Sequence, residues 1–395
     1  MAQDKDLKTP NVPPLRFPGF TDEWEKTSLG EIGETLIGLT YSPKDVVENG
    51  GTIVFRSSNI QNGMIDYSDL VRVNKSIKER IITKENDILV CARNGSTRLI
   101  GKNTLLKKSD SGNTFGAFMM IYRSEDNDIV HPILSTRRYF SQVSENLGAR
   151  INQITTSDLN SFEFNLPNNP EEKRKIGKLF QLINERIATQ NKIIEDLKKL
   201  KSAIIERLFD KLEGKEYRYK ELLQVVNERN KDLRFKKVIA ASQEYGMVER
   251  ETLNLKVQFD ESSINTYKII HAGDYVVHLR SFQGGFAFSE LNGICSPAYI
   301  ILRPNGEILS YGFLRYYFVS KIFVNSLRLV TYGIRDGRSI NVEEWLDMSI
   351  RIPKKAIQEQ ILNTIQSIDN KLSNENQYMD SLLKQRRFLL SHMFI

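Results

Sequence analysis

The 395-residue sequence predicts an α+β fold in which two similar, mixed but β-rich domains are separated by two long α-helices packed as an antiparallel coiled coil. Two observations lead to this prediction. Heptad-patterned stretches at Glu171–Leu212 and Ile357–Phe394 are each far longer than an average globular helix. The segments before them repeat the same order of landmarks, which indicates an internal duplication with a pseudo-twofold relation.

The predicted boundaries place an N-terminal arm and the first domain at 1–168 and the first long helix at 169–214. The second domain follows at 215–353 and the second long helix at 354–395.

The first long helix has a start pattern in Asn169-Pro170-Glu171-Glu172. Asn169 can cap, Pro170 suits the first helical position, and Glu172 stands where a capping-box carboxylate reaches back. Gly214 suits the helix stop, and the stretch is about 60 Å long at 1.5 Å per residue. The apolar stripe of this helix is narrow, which predicts a partner helix that covers it. Its two apolar seams are Ile176, Ile183, Leu197 and Ile204, and Phe180, Ile187, Ile194 and Leu208.

The partner is predicted in the same chain, because the pattern returns with a constant shift of 185 residues. The polar interruptions keep this register: Glu375 matches Gln190, and Arg386 matches Lys201. The matching seams are Ile361, Ile368, Leu382 and Leu389, and Ile365, Leu372, Met379 and Met393.

The segments before the helices read as short strands separated by turns, after an extended proline-rich arm at residues 1–20. Predicted strands in the first domain are Ile53-Val54-Phe55, Ile88-Leu89-Val90 and Phe118-Met119-Met120-Ile121, and a helix is predicted at His131–Leu147. The second domain repeats the order, with Trp24–Leu29 matched to Tyr217–Leu222, Met64-Ile65 to Met247-Val248, Asp87 to Asp274, and Leu166-Pro167 to Ile352-Pro353.

Composition narrows the class of protein. A net charge of +7 and a pI near 9.1 are compatible with nucleic acid but also with other acidic partners. Cys91 and Cys295 are too few for a disulfide framework or a zinc site and are expected as buried thiols. The longest apolar run is too short for a bilayer, and the polar N-terminus is unlike a signal peptide, so a cytoplasmic protein without membrane contact is expected.

The candidate catalytic motifs in the sequence depart from the spacing or the residues that their chemistry requires. Gly95–Asn103 resembles a phosphate loop, but five residues separate its glycines and Asn103 stands where magnesium needs a hydroxyl. The four histidines lack ligand spacing, and His278 is expected as a satisfied, partly buried side chain. No methyltransferase signature or nucleophile elbow is found. The chain is therefore expected to be non-catalytic, with no metal and no cofactor of its own.

A loop of base-reading side chains follows each Asp-led strand. Arginine can bridge guanine acceptors, and asparagine or glutamine can pair with adenine, whereas an ordinary hairpin tip is the alternative for either loop alone. Recurrence at equivalent places in both halves favours DNA contact. The first loop supplies Arg93, Asn94, Ser96, Thr97 and Arg98, and the second supplies Arg280, Ser281, Gln283 and Gly284.

Further DNA contacts are predicted beside these loops. Arg150 and Gln153 match Arg335 and Arg338 after glycine landmarks in the two halves. Phosphate contacts are expected from Lys102 and Lys237, although lone surface lysines are usually only solubilising. Apolar residues beyond the two-helix seam predict a docking face for a partner protein. That face comprises Leu179, Ile193, Leu200 and Tyr378.

The whole chain resembles the specificity (S) subunit of type I restriction–modification enzymes. The resemblance is carried by the opening Pro14–Trp24, by Asp87-Ile88-Leu89-Val90 with Arg93 and Gly95-Ser96, and by Leu166-Pro167 before the Glu-rich helix start. Lys354-Lys355-Ala356 departs from the pattern because it lacks the cap of the first helix.

The resemblance implies two target-recognition domains that each read one part of a bipartite, asymmetric site on double-stranded DNA. It implies that the long helices set the spacer and dock two methyltransferase (M) subunits that use S-adenosylmethionine. Restriction (R) subunits that use ATP and magnesium would join the complex. Two alternatives stay open from the residues: a coiled-coil protein-interaction scaffold without DNA readout, and a fused methyltransferase or nuclease.

Overall fold

A computed structural model describes residues 11–147, 152–242, 245–253, 261–278, 285–332 and 339–395. They form two compact units. Unit one runs to Lys192 and includes Gln377–Ile395, and unit two comprises Ile193–Asn376. Each unit therefore contains one domain and a part of each long helix.

The long helices span Pro170–Asp210 and Lys355–His392. The predicted cap is confirmed, because Oδ1 of Asn169 accepts hydrogen bonds from the backbone N–H of Glu171 at 2.9 Å and of Glu172 at 3.3 Å. The predicted capping box is wrong. The buried Glu172 carboxylate instead accepts two hydrogen bonds from Arg16, Nε to Oε1 at 2.6 Å and Nη2 to Oε2 at 2.8 Å.

The proline-rich arm is tied to both long helices within unit one. Besides the Arg16 pair, the backbone N–H of Leu15 donates to the carbonyl of His392 at 2.9 Å. Trp24 at the end of the arm is buried, and its ring lies 6.3 Å from that of Phe394. A buried bidentate ion pair of this kind fixes the path of an arm that has no regular secondary structure between residues 11 and 24.

The helix segments pack antiparallel in each unit, as predicted. In unit one the Phe180 and Phe394 rings are 5.5 Å apart, and Arg186 Nη2 donates to the Tyr378 hydroxyl at 3.0 Å. Residue numbers in the second helix therefore fall as those in the first helix rise, which is the antiparallel direction. In unit two Lys201 forms an ion pair with Asp369.

The predicted seam changes phase in unit two. Ile205 and Phe209 are buried, whereas the predicted Ile204 and Leu208 are only partly buried. A straight helix drifts away from a strict heptad, and here its last turns also pack against the domain core. The Phe209 ring lies 5.6 Å from Phe313 and 5.4 Å from Tyr317.

Unit one contains two four-stranded sheets over the core. In the first sheet the neighbouring strands are Glu34–Ile37, Met119–Arg123, Ile88–Cys91 and Asn103–Leu105. In the second they are Thr114–Phe115, Thr52–Phe55, Val71–Val73 and Val46–Val47. Two further strand pairs are Glu25–Ser28 with Glu163–Leu166 and Ile60–Gln61 with Met64–Ile65. The three predicted strands are confirmed.

The helices of the first domain are Leu29–Ile32, Asn127–Ile133, Arg137–Leu147 and Thr156–Ser161. The single helix predicted at His131–Leu147 is therefore wrong. Its first residues end another helix, and the chain turns before the hydroxyl of Thr136 accepts a hydrogen bond from the backbone N–H of Tyr139 at 3.3 Å. A threonine that caps a new helix favours such a break.

Unit two repeats the first sheet. Its strands follow the order Leu223–Val226, Ile300–Pro304, Tyr275–Val277 and Phe286–Phe288. Its strand pairs are Lys215–Arg218 with Ser349–Ile352, Ile239–Ser242 with Gly246–Glu249, Lys268–Ile270 with Gly293–Cys295, and Thr331–Tyr332 with Ser339–Ile340. Its helices are Tyr219–Leu222, Phe313–Tyr317, Lys321–Ser326 and Val342–Asp347.

Equivalent contacts occur at the start of the two domains. Glu31 accepts from the backbone N–H of Ser28 at 2.6 Å, and Glu221 accepts from that of Arg218 at 2.7 Å. These contacts align Leu29 with Tyr219, so the predicted match of Leu29 to Leu222 is wrong by three residues. Trp24 and Tyr217 are both aromatic, but they are not equivalent, because Trp24 precedes its strand and Tyr217 lies within its own.

Cys91 and Cys295 are free and buried, as predicted. Burial raises the pKa of the Cys91 thiol to about 11 and that of Cys295 to about 12. Both therefore stay protonated at neutral pH and act as small apolar side chains. Among the helices described, none is long and apolar enough to cross a membrane.

Candidate nucleic-acid interface

The structure brings together the two predicted DNA-contact segments of unit one. The central strand Ile88–Cys91 leads into the connection at residues 92–102, and Arg93 forms an isolated antiparallel bridge with Gln153. The backbone N–H of Asn94 also donates to the carbonyl of Asn152 at 3.4 Å. Residues far apart in the sequence thus form one polar surface at the end of a buried strand.

Arg93 is exposed, and its guanidinium carbon lies 5.0 Å from the centre of the Phe118 ring. The Phe118 side chain is itself 58% exposed, which is unusual for a phenylalanine beside a core strand. An arginine that lies over an aromatic face keeps its N–H edge available for an acceptor. Arg93 therefore has the geometry of a preorganised donor to a base edge or a phosphate.

Asn94 holds the loop together. Its Nδ2 donates to the hydroxyl of Ser57 at 3.0 Å, and its Oδ1 accepts from the backbone N–H of Ser96 at 3.0 Å. This turn leads into a 3₁₀ segment, Thr97–Leu99, on which Ser96, Thr97 and Arg98 are exposed. Because both ends of the Asn94 amide are engaged, its role in the structure is to shape the loop that presents these neighbours.

The two predicted phosphate lysines lie in different surroundings. Lys102 is half-buried, and its charge partly offsets the effect of burial on the pKa of Cys91. Lys237 forms an ion pair with Glu249 on the neighbouring strand. This pairing offsets the Lys237 charge, which makes it a weaker phosphate anchor than Arg93 or Arg98.

Seven predicted DNA contacts lie outside the described residues. They are Arg150, Arg280, Ser281, Gln283, Gly284, Arg335 and Arg338. Beside the second loop the structure does describe His278, whose ring centre is 5.4 Å from that of Tyr299. His278 is partly buried as expected, but its Nδ1 has no hydrogen-bond partner among the described residues.

Tyr299 and Phe118 are functional candidates that the sequence analysis missed, together with Ser57. Each aromatic residue directly precedes a corresponding strand, Met119–Arg123 or Ile300–Pro304. Phe118 lies beside Arg93, two residues after the central strand, and Tyr299 lies beside His278, one residue after it. The pattern was visible as a shared aromatic before an apolar strand. An aromatic platform at this place suits contact with bases or with a stacked arginine.

Three of the four predicted docking residues are exposed. Ile193 and Leu200 in unit two are exposed, and so is Tyr378 in unit one, whose hydroxyl accepts from Arg186. Leu179 is different, because it packs against the core of unit one. Because Leu179 is only partly buried there, its place on a docking surface stays a prediction. A helix that contacts both a partner helix and a domain uses a wider apolar stripe than a two-helix seam.

In the ranges the structure describes, no group of His, Cys, Asp and Glu side chains could hold a metal ion. What unit one presents is a set of hydrogen-bond donors and an aromatic face at the end of the central strand of its sheet. Such a surface can recognise an extended, anionic, base-bearing ligand.

Comparison with known proteins shows what the chain is similar to. A family model described as the type I restriction modification DNA specificity domain matches residues 21–199. The StySPI specificity subunit of Salmonella potsdam is 26% identical over 46% of this chain, and the EcoKI specificity subunit of Escherichia coli K12 is 24% identical over 46%. The chain spans only 42% and 41% of the length of these two relatives. The MjaVIII specificity subunit of Methanocaldococcus jannaschii is 22% identical over 95% of this chain and 92% of its own.

Solved structures show the same fold along nearly the whole chain. The S subunit of a type I restriction–modification system from M. genitalium superposes with a TM-score of 0.58 at 15% identity, covering 97% of this chain and 99% of its own. A chain from a study of complex assembly and conformational transition of the type I R-M system gives a TM-score of 0.54 at 14% identity, with 96% and 98% covered. Residues 21–199 are thus similar to the type I restriction modification DNA specificity domain, and nearly the whole chain has the fold of these solved subunits.

Proposed function

We propose that this chain is the DNA sequence-specificity subunit of a type I restriction–modification system and that each unit reads one part of a bipartite, asymmetric site. The observation that carries the proposal is the repeated four-stranded sheet. In unit two its central strand is followed by His278 beside Tyr299, and in unit one its central strand leads to a polar loop beside Phe118. In unit one this loop presents Arg93 and Arg98, and the segment lies within the residues similar to a DNA specificity domain. Different loops on equivalent scaffolds allow two different half-sequences to be read.

The catalytic chemistry is assigned to partners. The chain would recruit two M subunits, which use S-adenosylmethionine, and R subunits, which use ATP and magnesium, while itself binding none of these groups. Exposed Ile193, Leu200 and Tyr378 on the long helices are the surface proposed for M-subunit contact. Apolar side chains exposed on a helix that is otherwise charged favour a protein partner. Such a complex would work in the cytoplasm, where the DNA is.

The rival function is a coiled-coil scaffold that does not read DNA. It shares the long helices but requires no polar loop beside an exposed aromatic in unit one. Binding measured against salt separates the two functions, because a protein that neutralises phosphates loses affinity steeply as salt increases. Salt-independent retention of DNA, or no retention in the presence of M subunits, would favour the scaffold.

Arg93→Ala tests the base-reading assignment in the complex with M subunits. We expect a loss of about 1–3 kcal/mol in binding to the cognate site, because a bidentate arginine contact to a base is removed. The loss should disappear when the first half-sequence is scrambled, and it should persist when the second is scrambled. Fluorescence anisotropy on these three duplexes measures it.

Asp69→Ala is the matched control, since it changes an exposed charge that pairs with Arg56 in the same domain. It should leave the order of the three affinities unchanged. If Arg93→Ala weakens cognate and scrambled DNA equally, Arg93 is a phosphate anchor and the base-reading assignment is wrong.

A further inference from the structure

The cation between the two long helices has different partners in the two units. In unit two Lys201 is neutralised by Asp369, and the hydroxyl of Tyr316 donates to Oδ2 of that carboxylate at 2.8 Å. The Tyr316 ring also lies under the ammonium group, with Nζ 5.4 Å from the ring centre. Only 5% of Tyr316 is exposed, so this side chain fills the space around the pair.

The shift of 185 residues places Arg386 and Asn184 of unit one at the positions of Lys201 and Asp369. The contact is kept, with Arg386 Nε donating to Asn184 Oδ1 at 2.8 Å, but an amide replaces the carboxylate. Nη2 donates to the hydroxyl of Ser135 at 3.0 Å, where unit two has the bulk of Tyr316. Within the described part of the chain, no carboxylate forms an ion pair with Arg386. Both of these hydrogen bonds from the guanidinium therefore go to neutral groups.

A cavity of about 720 Å³ in unit one opens onto this guanidinium. Phe180, Met379 and Leu383 supply apolar wall, and Asn184 and Ser135 lie beside the charge. Glu85, Asp128 and Glu185 also line the cavity. Glu185 accepts from Gln181 Nε2 at 2.9 Å, so its interaction is with its own helix. The volume is in the range of small-molecule sites, which combine apolar walls with a few oriented polar groups.

The neighbouring histidine, His131, carries no charge at physiological pH. His131 lines the same cavity, and burial, followed by the nearby charge of Arg386, lowers its pKa to about 4. The imidazole is therefore neutral at physiological pH. Burial also lowers the pKa of Arg386, yet arginine remains charged at any physiological pH. Lys107 and Lys108 line the cavity together with the three carboxylates, but Arg386 has no ion-pair partner among the described residues, so its guanidinium is available to a bound anion.

We propose that this cavity binds a small organic carboxylate, whose carboxylate pairs with Arg386 and whose apolar body contacts Phe180 and Met379. The remaining N–H donors of the guanidinium form the fork that a carboxylate accepts. The bound carboxylate supplies the negative charge that Asp369 supplies in unit two. The site is separate from the DNA-contact loop and does not depend on the proposed function.

Calorimetric titration of the full chain with benzoate, at fixed ionic strength, tests the proposal. Benzoate should bind, acetate should bind more weakly because it lacks the apolar body, and neutral benzamide should not bind detectably. Asn184→Asp supplies the internal carboxylate of unit two without a change in side-chain size, and it should weaken benzoate binding by roughly tenfold or more. Arg386→Met should do the same by removing the cation.

Asn363→Asp, which adds the same charge at an exposed position on the second long helix in unit two, is the matched control and should bind benzoate as the unaltered chain does. Circular dichroism verifies that each variant is folded. Three results would overturn the proposal: no benzoate binding by the folded chain, equal binding of benzamide, or benzoate affinity unchanged in both Asn184→Asp and Arg386→Met.

Discussion

Replacing Asp87 by alanine is expected to lower the local stability of unit one by about 3–5 kcal/mol, the usual cost of removing one partner from a buried ion pair. Only 2% of the Asp87 side chain is exposed, and its carboxylate accepts from Arg123 Nε at 2.8 Å and Nη2 at 2.7 Å. The same carboxylate accepts from the backbone N–H of Lys84 at 2.8 Å. Its loss therefore removes the counter-charge of a half-buried guanidinium, which keeps only its hydrogen bonds to the carbonyls of Arg80 and Ile82, and removes the acceptor of the turn at the start of the central strand.

Hydrogen exchange of the amides in Ile88–Cys91 measures this loss directly, without requiring the two units to unfold together. Asp87→Asn should be less damaging than Asp87→Ala, because the amide retains one acceptor. If exchange in the strand is unchanged in Asp87→Ala, the ion pair is not what holds the strand entrance.

The duplication supplies an internal comparison. Asp274 and Arg303 repeat the pair in unit two, with Nε–Oδ1 at 3.0 Å and Nη2–Oδ2 at 3.1 Å. The Arg303 side chain is 38% exposed, against 20% for Arg123. Water can solvate the cation left behind in unit two, so Asp274→Ala should cost less, about 1.5–3 kcal/mol. The exposed Arg56–Asp69 pair should contribute at most about 1 kcal/mol.

The same aspartates show why so much of the fold was predictable. Asp87 and Asp274 were recognised as landmarks at the start of matching strands, and the structure gives them the same partner and the same turn. Sequence periodicity also predicted the long helices and their pairing, because each apolar stripe was too narrow to be buried without a second helix. Patterns that repeat across a duplicated chain carry more information than either copy alone.

What escaped prediction depends on contacts between residues that are distant in sequence. Glu172 has the position of a capping-box residue, yet Arg16 takes its carboxylate from 156 residues away. Ile205 and Phe209 lie off the heptad seam because a domain core, rather than the partner helix, buries them. No local pattern reports such a partner, and a buried ion pair outweighs a capping hydrogen bond.

The sequence predicted which residues form the candidate interface, but not which of them shape the loop and which face outward from it. Arg93 and Asn94 are neighbours of equal polarity in the sequence, whereas in the structure Asn94 bonds within the loop and Arg93 faces outward over Phe118. Burial and hydrogen-bond partners distinguish a residue that shapes a loop from one that the loop presents. The DNA contacts predicted for Arg93 and its equivalents stay predictions.

Inserting one heptad into both long helices is expected to abolish high-affinity binding to the original DNA site while both half-sequences stay the same. The insertions belong after Lys192 and after Asn376, where the chain passes between units, so that the contacts within each unit are kept. Seven helical residues add about 10 Å, close to the rise of three base pairs. Two linked readers that can no longer engage one duplex together lose the avidity of bivalent binding, about 10²–10⁴-fold.

Selection from a DNA library with fixed half-sequences and variable spacers measures the new preference. A spacer longer by about three base pairs should be enriched, since each unit retains its own loops. Replacing Arg186–Lys192 by another heptad of the same length and seam pattern is the control, and it should leave the preferred spacer unchanged. The helices cannot be the element that sets the spacer if the lengthened protein still selects the original one. A change in the half-sequences themselves would contradict the assignment of base reading to loops that the insertion leaves untouched.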